Sequence, residues 1–363
     1  MCDIYNCLWI VVRTVQQSRF AELALSKRKI NTRFFDAVNA MIDWGRIERV
    51  IDQFDTRGKR LDGNPCYAGL VLFKMSLLGI WYGLSDRELE DHVNDSISFT
   101  RFCGLSLEDP IPDHSIVSRF RTMLSTQEVW HTLLDEVNRQ LQEKGLLVRT
   151  GTIVDASITE SPLKPKGKAQ YEVIADNEAV APDNGSQDGA KLQKMVKPGV
   201  DVEAAWTKKA GKLYYGYKKH HATDMNGIVL AVETTAANTH DGQVLELLIE
   251  RAEPAPKTSL YADKGYCSET NSKYLRSKQL HNGIMKKASR NHELSTYHKK
   301  KNRLISSVRW VVERTFGGQK RWFGAGKARY RGLERTNGQH ILEAICYNLR
   351  RAPRLLTELN LTC

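Results

Sequence analysis

The chain has 363 residues, with 54 Lys and Arg against 42 Asp and Glu, a net charge of +12. That length accommodates two domains at roughly 100–200 residues each, and apolar and charged fractions of 41% and 26% are those of a soluble globular protein. No apolar run approaches the ~18 residues of a membrane span, and the short run Cys7–Val12 lacks the basic flank and cleavage site of a signal peptide.

Residues 1–18 carry no pattern that requires structure and read as a disordered extension. From Arg19 the pattern is helical, with Phe34, Val38, Met41 and Ile42 on one stripe. A polar loop over 55–65 leads into Tyr67–Tyr82, apolar almost all round and so expected to be a buried helix. Ser85 followed by Glu88 is a capping box that opens the next helix. A turn at Asp109–Ser115 feeds a short amphipathic helix, Ile116–Leu124, on which Arg119 and Arg121 are expected to be exposed. This could be a helix-turn-helix reader or part of a plain helical bundle. A helix over Gln127–Lys144 closes an all-helical region spanning 19–145.

At Gly145 the texture changes. Leu146–Asp155 has the β-branched, continuously apolar character of a buried strand. Residues 162–201 are polar and aperiodic and read as a long mobile loop. Three strand-like runs follow, Lys212–Lys218, His221–Asp224 and Gly227–Thr235, the last two joined by an Asn226–Gly227 hairpin turn. A helix over Gln243–Arg251, a short strand Ser259–Asp263 and a helix over Glu269–Lys278 complete an α/β pattern. In Ser306–Phe323, Val308, Val311, Val312, Thr315 and Phe316 recur at helical spacing. Arg309 and Glu313 stand four residues apart and Lys320 seven beyond, so all three share a face if the helix is unbroken. Gly317 and Gly318, each costing roughly 1 kcal/mol in a helix, leave open a bend between them. The second region reads as 146–355, with a tail at 356–363.

Two features bear on function. Between Ala255 and Arg354 there are 23 Lys and Arg against 6 Asp and Glu, a net of +17, which leaves −5 for the rest of the chain. That is either the footprint of a polyanion or a solvated basic surface. Seven cysteines without a C-x-x-C pair suit a reducing cytosol and argue against structural zinc. The second feature is a set of carboxylates. Asp155 and Asp263 each end an apolar strand, and Glu313 sits on a packed helix. Taken singly they are strand-end caps and half of an ordinary Arg–Glu pair. Taken together, three converging carboxylates call for a divalent cation, and hard oxygen ligands suit Mg²⁺ or Mn²⁺. Two such ions, roughly 3.5–4 Å apart, are the apparatus of phosphoryl transfer. His220, His221 and His240 could be metal ligands, but packing or DNA contact suits them better. Tyr215, Tyr217, Lys218 and Lys219 on one strand could carry a phosphate backbone or simply pack.

The chain resembles the DDE transposases of the insertion sequence 5 (IS5) family of bacterial mobile elements. The resemblance is carried by Leu84–Asp91, Ser98–Phe102, Ile111–Ser115 with Arg119–Arg121, Gly151–Ser157, Tyr215–Lys218, Thr234–Asp241, Tyr261–Tyr266 and Arg309–Lys320, and it covers nearly all of Phe20–Arg351. The family's signature of Tyr, two residues, Arg, three residues, Glu, six residues, Lys is matched at Arg309, Glu313 and Lys320, with Ser306 in the tyrosine position. The resemblance implies an RNase H-like catalytic domain, a mixed sheet flanked by helices, preceded by an all-helical DNA-binding domain. It implies that Asp155, Asp263 and Glu313 bind catalytic Mg²⁺, with Mn²⁺ able to substitute. Arg309, Lys320, Lys218, Arg119, Arg121, Lys264 and Arg321 are the residues expected on DNA. The reaction implied is hydrolysis of a phosphodiester at the element's terminal inverted repeats, then attack of the freed 3′-hydroxyl on target DNA, without a covalent protein–DNA intermediate. A homodimer on paired ends and a cytoplasmic, nucleoid-associated location go with it. The alternative is a DNA-binding derivative, a repressor or domesticated nuclease, that lacks strand transfer.

Overall fold

The computed structural model describes residues 31–55, 57, 66–167, 171–174, 191–194, 198–288 and 292–359. The expected N-terminal extension, most of the 55–65 loop and the last four residues of the tail lie outside them. Among the described residues seven helices come first: α1 (Arg33–Met41), α2 (Trp44–Phe54), α3 (Gly69–Trp81), α4 (Asp86–Asp95), α5 (Ile97–Cys103), α6 (His114–Thr126) and α7 (Val129–Glu143). The apolar α3 is buried from Leu72 to Trp81. At α4 the Glu88 amide donates to Ser85 Oγ at 3.4 Å and the Ser85 amide to Glu88 Oε2 at 2.7 Å. Two of the helix's orphan N–H groups are thereby satisfied, as the sequence requires. Residues 104–113 separate α5 from α6, more than the three- to four-residue turn of a helix-turn-helix. The turn at Asp109–Ser115 is therefore not the turn of that motif.

The strand read from Leu146 begins at Gly151 and runs on to Glu160 as β1. Asp155 therefore lies in the middle of a strand, because the partner strand extends the ladder five residues further. Within 162–201, β2 (Tyr171–Ile174) and β3 (Lys191–Lys194) pair as a small antiparallel ribbon, so this stretch is not wholly loop. Its end is pinned by Asp201, which is buried and accepts from Tyr217 Oη at 2.8 Å. After β4 (Ala205–Lys209), the two runs divided at Lys218 and His221 form one strand, β5 (Lys212–Thr223). It turns back through Asn226–Gly227 into β6 (Val229–Ala236). Gly227 has φ +86°, the left-handed conformation that glycine adopts without strain. A helix α8 (Leu245–Ala252), β7 (Ser259–Ala262), α9 (Glu269–Ser277) and β8 (His281–Ile284) follow, and then two long helices, α10 (Thr296–Phe323) and α11 (Leu333–Glu358).

The main sheet runs β6–β5–β1–β7–β8, with β4 paired to the first half of β5. β5 is antiparallel to both β6 and β1, whereas β7 and β8 are parallel to β1. Three antiparallel strands continued by two parallel ones, with helices on both faces, are an RNase H-like architecture. The alternation of side chains sorts the two faces. Lys219, His221 and Thr234 reach α10 and α11, while Glu233 reaches α8 through an ion pair with Arg251. Helix α11 lies between the sheet and the N-terminal bundle, touching β6 on one side and α3, α6 and α7 on the other. That position explains why it is buried almost continuously from Thr336 to Leu349, polar residues included. One apolar cluster consequently runs from Phe35 in α1 through the sheet to Leu355. Among the described residues no helix is long and apolar enough to cross a membrane.

Candidate active site

The site is built where the parallel ladder between β1 and β7 stops. Its last pair is Val154 with Ala262, so the next residues of the two strands, Asp155 and Asp263, emerge side by side. Two positions back on the same face, Ile153 and Tyr261 seat α10 through Val308, Val311, Val312 and Phe316. Apolar packing thus places α10 across the strand ends, and its helical repeat brings Arg309 and Glu313 to the aspartates. Arg309 Nη2 stands 2.7 Å from Asp155 Oδ2 and 4.0 Å from Glu313 Oε1, and Nη1 stands 3.6 Å from Asp263 Oδ1. The three carboxylates of the sequence reading are therefore brought together around one guanidinium.

Their environments differ. Side-chain exposure rises from 18% at Asp155 through 39% at Asp263 to 62% at Glu313, and Arg309 is 10% exposed. Burial pushes the Asp155 carboxyl above the usual range, opposed by Arg309 and by the Ala156 N–H, which donates to Oδ1 at 2.8 Å. The neighbouring Asp263 pushes it up further. Three anionic oxygen donors with one open, solvated side are a donor set suited to a hard divalent ion. As the side chains stand, among the described residues no three carboxylate, imidazole or thiol groups close on a single point. Arg309 occupies the space between the carboxylates.

The remaining basic candidates divide. α10 runs without a break through Gly317 and Gly318, so Glu313 and Lys320 do share a face, and both are exposed. The Lys320 ammonium is held below its ordinary range by desolvation and by repulsion from Lys219 and Lys209. Arg321, Lys264 and Arg119 are exposed. Lys218 is already engaged, donating to Asp241 Oδ1 at 2.8 Å and to the Thr239 carbonyl at 2.7 Å. Arg121 is not exposed as expected: it is buried, pairs with Asp86 at 2.5 Å and lies over the Tyr330 ring at 5.3 Å. Its place two turns along α6 looks solvent-facing only if α4 and the segment before α11 are ignored.

Residues 147–349 match the transposase DDE domain family and residues 23–123 match the transposase domain family DUF772. The chain belongs to the DDE transposases. These are enzymes that cleave DNA and transfer strands. A relative is the transposase for insertion sequence element IS1106 of Neisseria meningitidis serogroup B, 37% identical over 242 residues, which cover 66% of this chain and 78% of the relative. Among solved structures, the piggyBac transposase synaptic complex with hairpin DNA aligns at 10% identity and a TM-score of 0.39, covering 91% of this chain and 76% of that one. The Mos1 mariner paired-end complex with Mn aligns at 10% identity and a TM-score of 0.20, covering 95% and 98%. At that level of likeness it is the strand order, and not superposition, that identifies the fold.

In this transposase the sequence reading passed over a buried polar layer behind the carboxylates. Lys219 Nζ donates to Glu343 Oε2 at 2.6 Å, and Gln339 Nε2 donates to Glu343 Oε1 at 2.8 Å. His340 Nδ1 pairs with Thr234 Oγ1 at 2.7 Å. His221, directly across the ladder from Asp155, stacks on Phe316 with 4.5 Å between ring centroids. Burial, then the nearby Lys219, holds His221 and His340 well below the usual imidazole range. Of the two readings for the β5 side chains, packing accounts for Tyr215, Tyr217 and Lys219, all buried. Lys219 sits beside Lys218, His220 and His221 in the strand, and nothing local marks it as the buried one or names a partner 124 residues away.

Proposed function

We propose that Asp155, Asp263 and Glu313 are the catalytic carboxylates of this transposase, that it is of the IS5 kind, and that its substrates are its element's terminal inverted repeats and a target duplex. The observation that carries this reading is the convergence of those three side chains, from the middle of β1, the end of β7 and a helix, around Arg309 at 2.7, 3.6 and 4.0 Å. The same carboxylates would hold Mg²⁺, or Mn²⁺ in its place. When bound, such ions supply a nucleophile at neutral pH and stabilise charge on the leaving oxygen.

The chain's own groups have separate tasks. Asp155 and Asp263, each next to the last pair of the parallel ladder between β1 and β7, give the site its rigid side. Glu313, the most exposed of the three, closes it from α10. Lys320, on the same face of α10, and the exposed Arg321, Lys264 and Arg119 bind the phosphate backbone. Such contacts position DNA without reading sequence, and they make binding fall steeply with salt. Phe316 and Val312 beneath the helix exclude water from the floor of the site. The products of the first step are a free 3′-hydroxyl and a 5′-phosphate. The hydroxyl then attacks a target phosphodiester and releases a target 3′-hydroxyl, so phosphodiester bonds are conserved in number. Assembly as a homodimer on paired ends, in the cytoplasm at the nucleoid, belongs to the same proposal.

The test is Mg²⁺-dependent cleavage of supercoiled plasmid carrying the element's ends. Cleavage by the wild-type chain should disappear in Glu313→Ala while DNA binding remains. Binding without cleavage by either protein, in Mg²⁺ and in Mn²⁺, would replace the enzyme reading with that of a DNA-binding derivative.

A further inference from the structure

We infer that Arg309 is the resident cation of the carboxylate site and that it competes with divalent metal ions for Asp155. This inference rests on the assignment of Asp155, Asp263 and Glu313 as metal ligands.

Asp155 has both oxygens engaged: Oδ1 accepts from the Ala156 amide at 2.8 Å and Oδ2 from Arg309 Nη2 at 2.7 Å. The first donor is backbone within a strand and cannot leave without breaking the ladder. The second is the end of a long unbranched side chain and can. The other contacts of Arg309 do little to hold it. Nε is buried without a partner, and Nη1 has only the Met285 sulfur at 3.8 Å besides Asp263 at 3.6 Å. Thioether sulfur is a weak acceptor on a flexible, readily repacked side chain. Among the described residues the guanidinium is thus placed mainly by the carboxylates.

An Mg²⁺ ion binds oxygen at about 2.0–2.1 Å. Bound to Asp155 Oδ2, it would take the position and the lone pair that Nη2 uses, and add two positive charges beside a third. Arginine cannot relieve that repulsion by losing a proton. It has to move. In the metal-free protein Arg309 therefore screens three carboxylates that would otherwise repel one another, and loading the site releases it. The open side of the site lies at the exposed Glu313, and a released guanidinium that turns toward it is available to a phosphate. Metal loading and DNA binding are in this way coupled through one side chain.

The test uses the full chain freed of metal by chelation and titrated with Mn²⁺, the free ion being counted by electron paramagnetic resonance. Wild type is compared with Arg309→Ala, Arg309→Gln, Arg309→Lys and Asp155→Asn. The expected result is that Arg309→Ala and Arg309→Gln bind Mn²⁺ roughly tenfold or more tightly than wild type, the scale of one like charge removed at close range. Their metal-free melting temperatures should fall, and Mn²⁺ should raise them by more than it raises wild type. Arg309→Lys, which keeps the charge, should stay near wild type. Arg309→Gln guards against an alanine variant that does not fold, because it can still donate to Asp155 without charge. Equal or weaker Mn²⁺ binding by Arg309→Gln, with binding lost in Asp155→Asn, overturns the competition and leaves the ligand assignment standing. Wild-type Mn²⁺ binding by Asp155→Asn overturns the assignment itself.

Discussion

The ion pair between Lys219 on β5 and Glu343 on α11 is the sharpest test of how the sheet is held to its long helix. Its side chains are 0% and 1% exposed and 2.6 Å apart, with Gln339 as the second donor to Glu343. Replacing Lys219 with Met leaves a carboxylate with no counter-charge in the core, and replacing Glu343 with Leu leaves an ammonium there. Each should cost about 3–5 kcal/mol, the range for breaking a buried pair by removing one partner. For a chain of this size, with melting shifts of roughly 2–4 °C per kcal/mol, that is a fall on the order of 10 °C. The double variant Lys219→Met with Glu343→Leu removes both desolvated charges. Gln339 Nε2 keeps its other acceptor, the Lys327 carbonyl at 3.0 Å. It should therefore recover most of the loss and lie within about 2 kcal/mol of wild type. Thermal and urea unfolding of all four proteins, followed by circular dichroism, completes the cycle. Single variants that cost less than about 1 kcal/mol, or a double variant as damaged as the sum of the singles, would show that the layer is not held by charge pairing.

Three further outcomes are expected. Burial holds His131 and His220 down to about 4, and His221 and His340 well below normal. A depressed imidazole stabilises the fold fully above its unfolded value of about 6.5, and that contribution is lost as pH falls toward 4. Asp135 and Asp224, raised to about 6 by burial, act in the opposite sense, so the histidine contribution is best isolated by substitution. His221→Phe, which keeps the stack on Phe316, should flatten the drop in melting temperature between about pH 7 and pH 5; an unchanged or steeper drop counts against the buried neutral imidazole. Arg121→Ala should lower stability by about 1–3 kcal/mol with its lost pair and packing. Arg119→Ala should leave melting unchanged and reduce the salt slope of DNA binding by about 1, and the reverse pattern would exchange their roles. Gly317→Ala, with no atom within 4 Å of the new methyl group, should stabilise α10 by up to about 1 kcal/mol. Gly318→Ala should gain less than Gly317→Ala, since its methyl would meet Tyr347 at 3.0 Å and Trp322 at 3.1 Å and both rings must give way. Equal effects at the two positions would mean that α10 does not lie against α11 as described.

What the sequence determined by itself was whatever depends on neighbours in the chain. The helical stripes, the Ser85–Glu88 capping box, the all-round apolar α3, the Asn226–Gly227 turn and the Arg309–Glu313 spacing on α10 are local regularities, and the structure contains each of them. The apolar runs before Asp155 and Asp263 were legible too, because a strand that packs on both faces has no polar alternation to hide it. Tertiary structure decided where strands end and which polar groups are inside. β1 continues past Asp155 because β5 offers it a partner as far as Gly216. Arg121 is buried because Asp86 lies across from it, and Lys219 because Glu343 does, contacts spanning 35 and 124 residues. A charged side chain is exposed by default, and only a distant partner can repay its desolvation. The same reason places Arg309 between three carboxylates: four-residue spacing on a helix announces its pairing with Glu313, but only the end of a parallel ladder could supply Asp155 and Asp263.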